Sequence, residues 1–355
     1  MNILFINTSK IWGGNEKWTH IAAHALSNKH NVFLAYRSPS LGRQFSLPKQ
    51  KYMFLNRFDC VTLSQLVRYL KNNSIDIVVS TNRKYYLLGG LAARWAGCRH
   101  FVRCGIVWSV PGNMYYRHLF SRLIDGIIVN AFPIREELLK SGFIPREKIH
   151  LIYNGLDLDR LEQGKKSDIE KPFPFTIVSS GELVPRKGHR FLLESFARFL
   201  GETGIKDAGL VIMGKGRQEG ELKVLAERLG IKDKTIFTGW LDDPYPLLGK
   251  ADLFVSLSEN EGISNSLLEA MYLRVPVIST TAGGTVDVVK NGYNGMLVEH
   301  TDYKKLAGLY RQVYETDKSE LDRMARAARE TVIENFSVQE MASALEEKFS
   351  QAIKA

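Results

Sequence analysis

Residues 256–284, SLSENEGISNSLLEAMYLRVPVISTTAGG, hold the densest set of groups suited to gripping an anion. An apolar run ends in acids and Gly262, and Ser264 and Asn265 then stand where a helix through about Leu273 needs its N-caps. The backbone N–H groups of Gly262, Ile263, Ser264, Asn265, Ser266 and Leu267 would face a ligand there, and with the positive end of the helix dipole they suit a diphosphate. Glu261 and Glu269 flank this turn eight positions apart. A carboxylate at 269 can accept two hydroxyl hydrogen bonds, as a ribose offers, or simply sit favourably near a helix N-terminus.

A second segment, SSGELVPRKGHRFLLESF at 179–196, places Gly181, Arg186 and Lys187 between a strand and a helix. Two cations there would neutralise a leaving diphosphate, Arg186 by forking to two oxygens and Lys187 as a point charge. Gly13 and Gly14 form a third turn, open to close approach by a phosphate or sugar, but without the G-x-G-x-x-G spacing of a dinucleotide site. Gly214-Lys215-Gly216 follows another strand. Arg217 stands where a P-loop requires Gly-Lys-Ser/Thr, so this reads as a turn near the base of a nucleotide.

These loops need strands and helices to hold them. Strands are expected at Ile3–Asn7, Asn31–Tyr36, Ile75–Ser80, His100–Cys104, Gly126–Val129 and Ile149–Tyr153. Helices alternate with them at Glu16–Asn28, Thr62–Asn72, Tyr86–Ala96, Tyr115–Leu123 and Pro133–Ser141. A polar linker is expected over Asp157–Phe173. A second series of strands follows at Phe175–Ser179, Leu210–Met213, Thr235–Thr238, Leu253–Leu257, Pro276–Ser279 and Gly295–Glu299, and the chain reads as helical from Tyr303 to Ala355. The fold class is α/β, with two tandem doubly wound domains: residues 1–160, completed by a helix at about 338–355, and residues 170–337. Ligands of such sheets bind outside the carboxyl ends of the strands, which puts the expected active site in an interdomain cleft.

Composition narrows the partners. The 355 residues carry three cysteines, with no Cys-x-x-Cys. His20 and His24 lie at i, i+4 without the glutamate of a metalloprotease helix, so no metal is expected. No run of about 18 apolar residues occurs, and the expected location is cytoplasmic. Residues 1–155 hold 21 Lys+Arg against 7 Asp+Glu, or +14, while the remaining 200 hold 27 against 31, or −4. Such a basic half suits phosphates, nucleic acid or an anionic membrane surface, and charge alone does not choose among them. Tyr85-Tyr86, Trp95, Trp108 and Tyr115-Tyr116 are candidate interfacial or sugar-stacking aromatics beside their role in packing.

Together the Gly-Gly-x-Glu turn at 13–16, Ile-Tyr-Asn-Gly-Leu-Asp at 152–157, Lys-Gly at 187–188, the glutamates at 261 and 269, and Gly-Gly at 283–284 resemble the retaining GT-B glycosyltransferases of family 4 (glycosyl transferases group 1). The resemblance implies transfer of a sugar from a nucleotide diphosphate donor, UDP-type favoured, to a saccharide or glycolipid acceptor of the cell envelope, with retained configuration and neither metal nor cofactor. It implies no nucleic-acid partner, and a peripheral position at the inner face of the membrane through the basic first domain. It assigns Glu261 to donor-sugar hydroxyls, Glu269 to the ribose, and Arg186 and Lys187 to the diphosphate. Two positions depart from the family pattern. Glu182 stands where an Arg is common, and the stretch FVRCGIVWSV offers Arg103 where a histidine often lies near the transferred sugar. A nucleotide-sugar epimerase and a non-catalytic sugar-binding protein are the alternatives.

Overall fold

The computed structural model describes residues 1–165, 169–259, 262–300 and 302–354, with the side chains of 164 and 165 excepted. It divides into one unit of Met1–Gly155 with Ser337–Ala355 and another of Leu156–Phe336.

The first unit carries seven strands, β1 (Asn2–Asn7), β2 (Asn31–Tyr36), β3 (Lys49–Lys51), β4 (Ile77–Ser80), β5 (Arg99–Cys104), β6 (Gly126–Val129) and β7 (Ile149–Leu151). All pair in parallel, in the order β3-β2-β1-β4-β5-β6-β7. Both faces are covered, as a parallel sheet requires. Along β1, Ile3 and Phe5 meet Trp18, Leu26, Leu345 and Phe349 on one side. Leu4 and Ile6 meet Leu66, Leu70, Leu88 and Ala92 on the other. The helix Val338–Lys354 belongs to the first face: the Phe349 and Phe101 rings meet edge-on with centroids 4.9 Å apart.

The second unit repeats the plan with β8 (Phe175–Ser180), β9 (Ala208–Met213), β10 (Thr235–Gly239), β11 (Leu253–Ser256), β12 (Val277–Thr280) and β13 (Met296–Val298), in the order β10-β9-β8-β11-β12-β13. In each sheet the strand order reverses beside the first strand, between β1 and β4 and between β8 and β11. Loops diverge there and leave a crevice at the carboxyl edge.

One expectation needs correction. The stretch from Asp157 is not simply a linker, because Leu158–Lys165 is a helix. Asp157 Oδ1 accepts the Arg160 N–H at 3.0 Å, Leu161 is buried, and Glu162 pairs with Arg329 at 2.5 Å, so one apolar contact and one ion pair fix an otherwise polar segment. The C-terminal run is helical as expected, in three helices, Tyr303–Glu315, Lys318–Asn335 and Val338–Lys354, with Asp317 capping the second through the Ser319 N–H. Edge strand β3 was not expected, since its sequence is Lys-Gln-Lys and all three residues are exposed.

Two histidines are locked inside these units. His100 donates from Nδ1 to the Leu123 carbonyl at 2.7 Å, and its Nε2 accepts from Ser80 Oγ at 2.9 Å, so the ring is neutral. Burial lowers its pKa to about 4. His189 is also held down to about 4, by burial first and then by the Lys187 ammonium. The unfolded chain therefore binds more protons than the native one between the ordinary value of 6.5 and about 4. Stability from these rings is complete above 6.5 and is lost as pH falls toward 4, with a slope of up to about 1.4 kcal/mol per pH unit for each ring. Urea midpoints should fall steadily over that window. A midpoint unchanged down to about pH 4.5 would contradict the buried neutral state.

Candidate functional site

In the second unit the crevice between β8 and β11 is flanked by the loop 181–188 and by the turn that leads into the helix Asn265–Tyr272. Backbone contacts lock these pieces together. The Glu259 N–H bonds the Arg186 carbonyl at 2.8 Å, and Ser266 Oγ donates to the Ser180 carbonyl at 3.3 Å. Gly284 N–H donates to the Gly262 carbonyl at 2.8 Å, which brings the turn after β12 to the same rim. Gly188 sits at φ +71°, where a Cβ would lie 2.3 Å from the Leu257 carbonyl oxygen, so only glycine lets the loop rest on the end of β11.

The loop after β9 joins them. Gly214 has φ +139°, and a Cβ on it would come within 2.0 Å of the Gly181 carbonyl oxygen. Gly181 and Gly214 are thus adjacent floor positions, 33 residues apart in sequence. Lys187 lies over this floor: a Cβ on Gly181 would stand 3.6 Å from its Cδ and Cε and 3.8 Å from Nζ. Ser264 occupies the N-cap position of Asn265–Tyr272, yet its side chain makes no capping bond. Its Oγ pairs instead with Ser266 Oγ at 3.0 Å, so the cap expected of the Ser264 side chain is not made. Ile263 and Leu267 are buried beneath the turn, and Glu269, in the second helical turn, is only 4% exposed.

Arg186 differs from the role expected of it. Its Nη2 turns back to Glu182 Oε2 at 3.3 Å, and both side chains are about half exposed, at 45% and 52%. A surface ion pair of this kind contributes little stability. It engages one guanidinium nitrogen, whereas Lys187 lies over the glycine floor. Glu261 lies outside the described residues.

In the first unit the corresponding rim is a ring of buried polar side chains. Thr8 N–H donates to Asn82 Oδ1 at 2.7 Å, Thr81 N–H donates to the Ile6 carbonyl at 3.1 Å, and Asn7 Nδ2 donates to Thr19 Oγ1 at 3.0 Å. Arg103, at the end of β5, is buried within this ring. Its Nη1 donates to Asn15 Oδ1 at 2.8 Å and its Nη2 to Asn154 Oδ1 at 3.3 Å, while the guanidinium lies 4.5 Å from the centre of the Trp18 ring. Burial lowers its pKa to about 10, which leaves it charged at neutral pH. Gly105 leaves room for it, since a Cβ there would meet Nη1 at 2.4 Å.

Arg103 therefore braces Asn15, in the first turn of the helix Gly14–Ser27, against the end of β7. Gly13 is its extended N-cap residue, and a Cβ on it would lie 3.3 Å from Glu16 Oε2, whereas Gly14 has open space. Neither glycine has a positive φ, so open room at the turn, rather than backbone strain, is what they provide. Arg103→Leu should cost about 2 kcal/mol in a denaturant titration, because the part-buried Asn15 Oδ1 and the buried Asn154 Oδ1 each lose a charged donor. An unchanged midpoint would show that the brace carries no load.

Sequence reasoning missed Asn15, Asn130 and Asn154 as a group. For two of them a signal was available: Asn130 and Asn154 follow soon after an apolar strand. Among the described residues no cluster of three or more His, Cys, Asp or Glu side chains could hold a metal. The rings of His20 and His24 lie 4.3 Å apart and pack on Phe45. No helix among the described residues is long and apolar enough to cross a membrane.

Two doubly wound units, each with a polar carboxyl rim, define the GT-B class of transferases. A glycosyltransferase from Rickettsia africae ESF-5 superposes with a TM-score of 0.88 at 21% identity, covering 99% of this chain and 98% of that one. Anabaena Alr3699/HepE, solved in complex with UDP, gives 0.83 at 19% identity, covering 99% and 100%. Residues 12–160 match the family described as Glycosyltransferase Family 4 and residues 160–331 match Glycosyl transferases group 1. The chain belongs to this glycosyltransferase family. It is similar to the lipopolysaccharide core biosynthesis glycosyltransferase LpsE of Rhizobium meliloti, 30% identical over 227 residues, 64% of each chain. It is also similar to the Escherichia coli UDP-Gal:alpha-D-GlcNAc-diphosphoundecaprenol alpha-1,3-galactosyltransferase, 27% identical over 328 residues, 86% of this chain and 80% of that one. A third relative, the N-acetylgalactosamine-N,N'-diacetylbacillosaminyl-diphospho-undecaprenol 4-alpha-N-acetylgalactosaminyltransferase of Campylobacter jejuni, is 28% identical over 223 residues, 59% and 60%. The first and third of these matches span less than two thirds of the relative's length.

Proposed function

We propose that this chain transfers a sugar from a nucleoside diphosphate donor, UDP-type favoured, to a saccharide or glycolipid acceptor in cell-envelope glycan synthesis, on the cytoplasmic side, with retained configuration and without a metal. The observation that carries this reading is the convergence of Gly181, Gly214, Lys187 and the start of Asn265–Tyr272 on one crevice of the second unit. A bare glycine floor admits a diphosphate, and Lys187 with the N–H groups of 262–267 supplies the positive charge. Glu269 receives the ribose hydroxyls. Glu261 receives the donor hexose on its place in the sequence alone. The three relatives' names support the envelope reading, two of them naming diphosphoundecaprenol-linked substrates.

In the proposed reaction the bond from the anomeric carbon to the diphosphate oxygen breaks, and its electron pair stays on the leaving group. The oxygen is stabilised by Lys187 and the helix terminus. The acceptor hydroxyl adds on the same face, and the departing phosphate oxygen takes its proton. Because the leaving phosphate takes the proton, the chain's work is to orient the reactants and meet charge.

The test is a thermal-shift screen of UDP, GDP, ADP and CDP, followed by transfer from the matching nucleotide sugars to membrane extract, with and without EDTA. A ligand bound only by the native state raises the melting temperature. Stabilisation by one diphosphate, with EDTA-insensitive and acceptor-dependent transfer, is expected. No shift with any nucleotide would overturn the donor site, and conversion of the donor sugar without an acceptor would make the protein an epimerase.

A further inference from the structure

The helix Asn265–Tyr272, which carries Glu269, has eight residues, so the four carbonyls that a helix end leaves without partners are half of its own. The residues that follow answer for three of them. Leu273 N–H donates to the Glu269 carbonyl at 3.0 Å, Arg274 N–H to that of Met271 at 3.2 Å and Val275 N–H to that of Ala270 at 3.0 Å. A reversal of this kind usually holds a glycine, because the residue after the cap needs a positive φ. Here that residue is Arg274, at φ +62°, a strained conformation for a side chain with a Cβ. The turn closes against its own preference, and the Tyr272 carbonyl is left over.

Arg329, on the helix Lys318–Asn335, takes that carbonyl. Its Nη1 donates to it at 3.1 Å and its Nη2 to the Tyr272 hydroxyl at 3.3 Å, while the guanidinium lies 4.2 Å from the centre of the Tyr272 ring. Nη2 also donates to Glu162 Oε1 at 2.5 Å, so Arg329 touches Tyr272 in three ways and Glu162 in one. Only a planar fork can hold main chain, hydroxyl and ring together, and its charge stands at the negative end of the helix dipole. Glu269 lies one turn before Tyr272 on the same side of the helix, and both are 4% exposed. A carboxylate that must meet two ribose hydroxyls to within about 0.5 Å is only as well placed as the turn that carries it.

We infer that Arg329 is a positioning residue for the donor, clamping the last turn of Asn265–Tyr272 so that Glu269 is held where the ribose hydroxyls arrive. The inference rests on the proposed role of Glu269. The clamp itself forms without a ligand, so it can also be read without one.

Hydrogen exchange is measured on the ligand-free full chain for the wild type, Arg329→Met, Arg329→Lys and Glu162→Gln, with melting temperatures taken alongside. The amides of Leu273, Arg274 and Val275 should exchange about tenfold faster in Arg329→Met and at the wild-type rate in Glu162→Gln. UDP, or whichever of GDP, ADP and CDP the wild type binds in its place, is then titrated calorimetrically. Arg329→Met should weaken binding about tenfold, Arg329→Lys about threefold and Glu162→Gln less than about twofold. A residue that only supports the fold would cause the same loss whatever stands at 269. In a Glu269→Gln background Arg329→Met should instead cost less than about twofold, because the carboxylate it places is gone. Should Arg329→Met not fold, the same cycle run with Arg329→Lys decides. The inference is overturned if either the exchange or the binding of the Arg329 variants matches the wild type, if their loss persists in full beside Glu269→Gln, or if Glu162→Gln reproduces it. A wild type that binds none of the four nucleotides sinks the donor reading and this inference together, whereas normal wild-type binding with an additive cycle sinks the inference alone.

Discussion

Lys187→Ala is expected to lower kcat by roughly two to three orders of magnitude while changing the donor KM only a few-fold. The ammonium lies over Gly181 at the mouth of the crevice, where the charge on a departing diphosphate would grow during the reaction. An interaction that strengthens only as the bond breaks acts on turnover and not on ground-state binding. Arg186 should matter less, because its side chain turns back toward Glu182 at 3.3 Å while that of Lys187 lies over Gly181. The measurement is initial-rate kinetics of both alanine variants at saturating acceptor. Equal, small losses for the two would show that no single cation carries the step. Lys187→Ala also removes a charge that helps keep His189 neutral, so its melting temperature must be compared at neutral pH before rates are read.

Glu269→Gln should weaken UDP binding by about tenfold to a hundredfold, read by calorimetric titration and by the lost thermal shift. The side chain is 4% exposed in the second turn of Asn265–Tyr272, which makes it a poor candidate for ordinary solvated charge. A carboxylate there accepts two hydroxyl hydrogen bonds, whereas the amide presents one acceptor and one donor face. Glutamine keeps the volume, so a cavity does not confuse the result as alanine would. Unaltered affinity in a folded variant would reduce Glu269 to a structural group.

The strands were legible because nearly all are short apolar runs, many of them rich in β-branched residues. Asn31–Tyr36 and Gly126–Val129 match the expected limits, and the others shift by a few residues at their ends. β3 was not legible, since Lys-Gln-Lys has no buried face to leave a period in the sequence. The helix Leu158–Lys165 was hidden for a similar reason, its stability coming from Leu161 and from Arg329, far along the chain. For the site, the glycines and cations of 181–188 could be named from the sequence, but their meeting with Gly214 depends on a φ of +139° and a contact across two strands. Arg103 was noticed as a departure from a family pattern. Its partners Asn15 and Asn154 are 88 and 51 positions away, a distance over which no local pattern speaks. The Arg186–Glu182 pair, by contrast, lies at i, i+4 and was within reach of simple spacing.

The helix Val338–Lys354 sets the order in which the chain can mature during synthesis. Residues 1–155 leave the ribosome first, yet the face that includes Phe5, Trp18 and Phe101 lacks part of its cover until Leu345 and Phe349 are made. Residues 156–336 contain everything their own centre needs and can close earlier. The half translated first is thus the half finished last, and it spends that interval as a client for whatever shields nascent apolar surface.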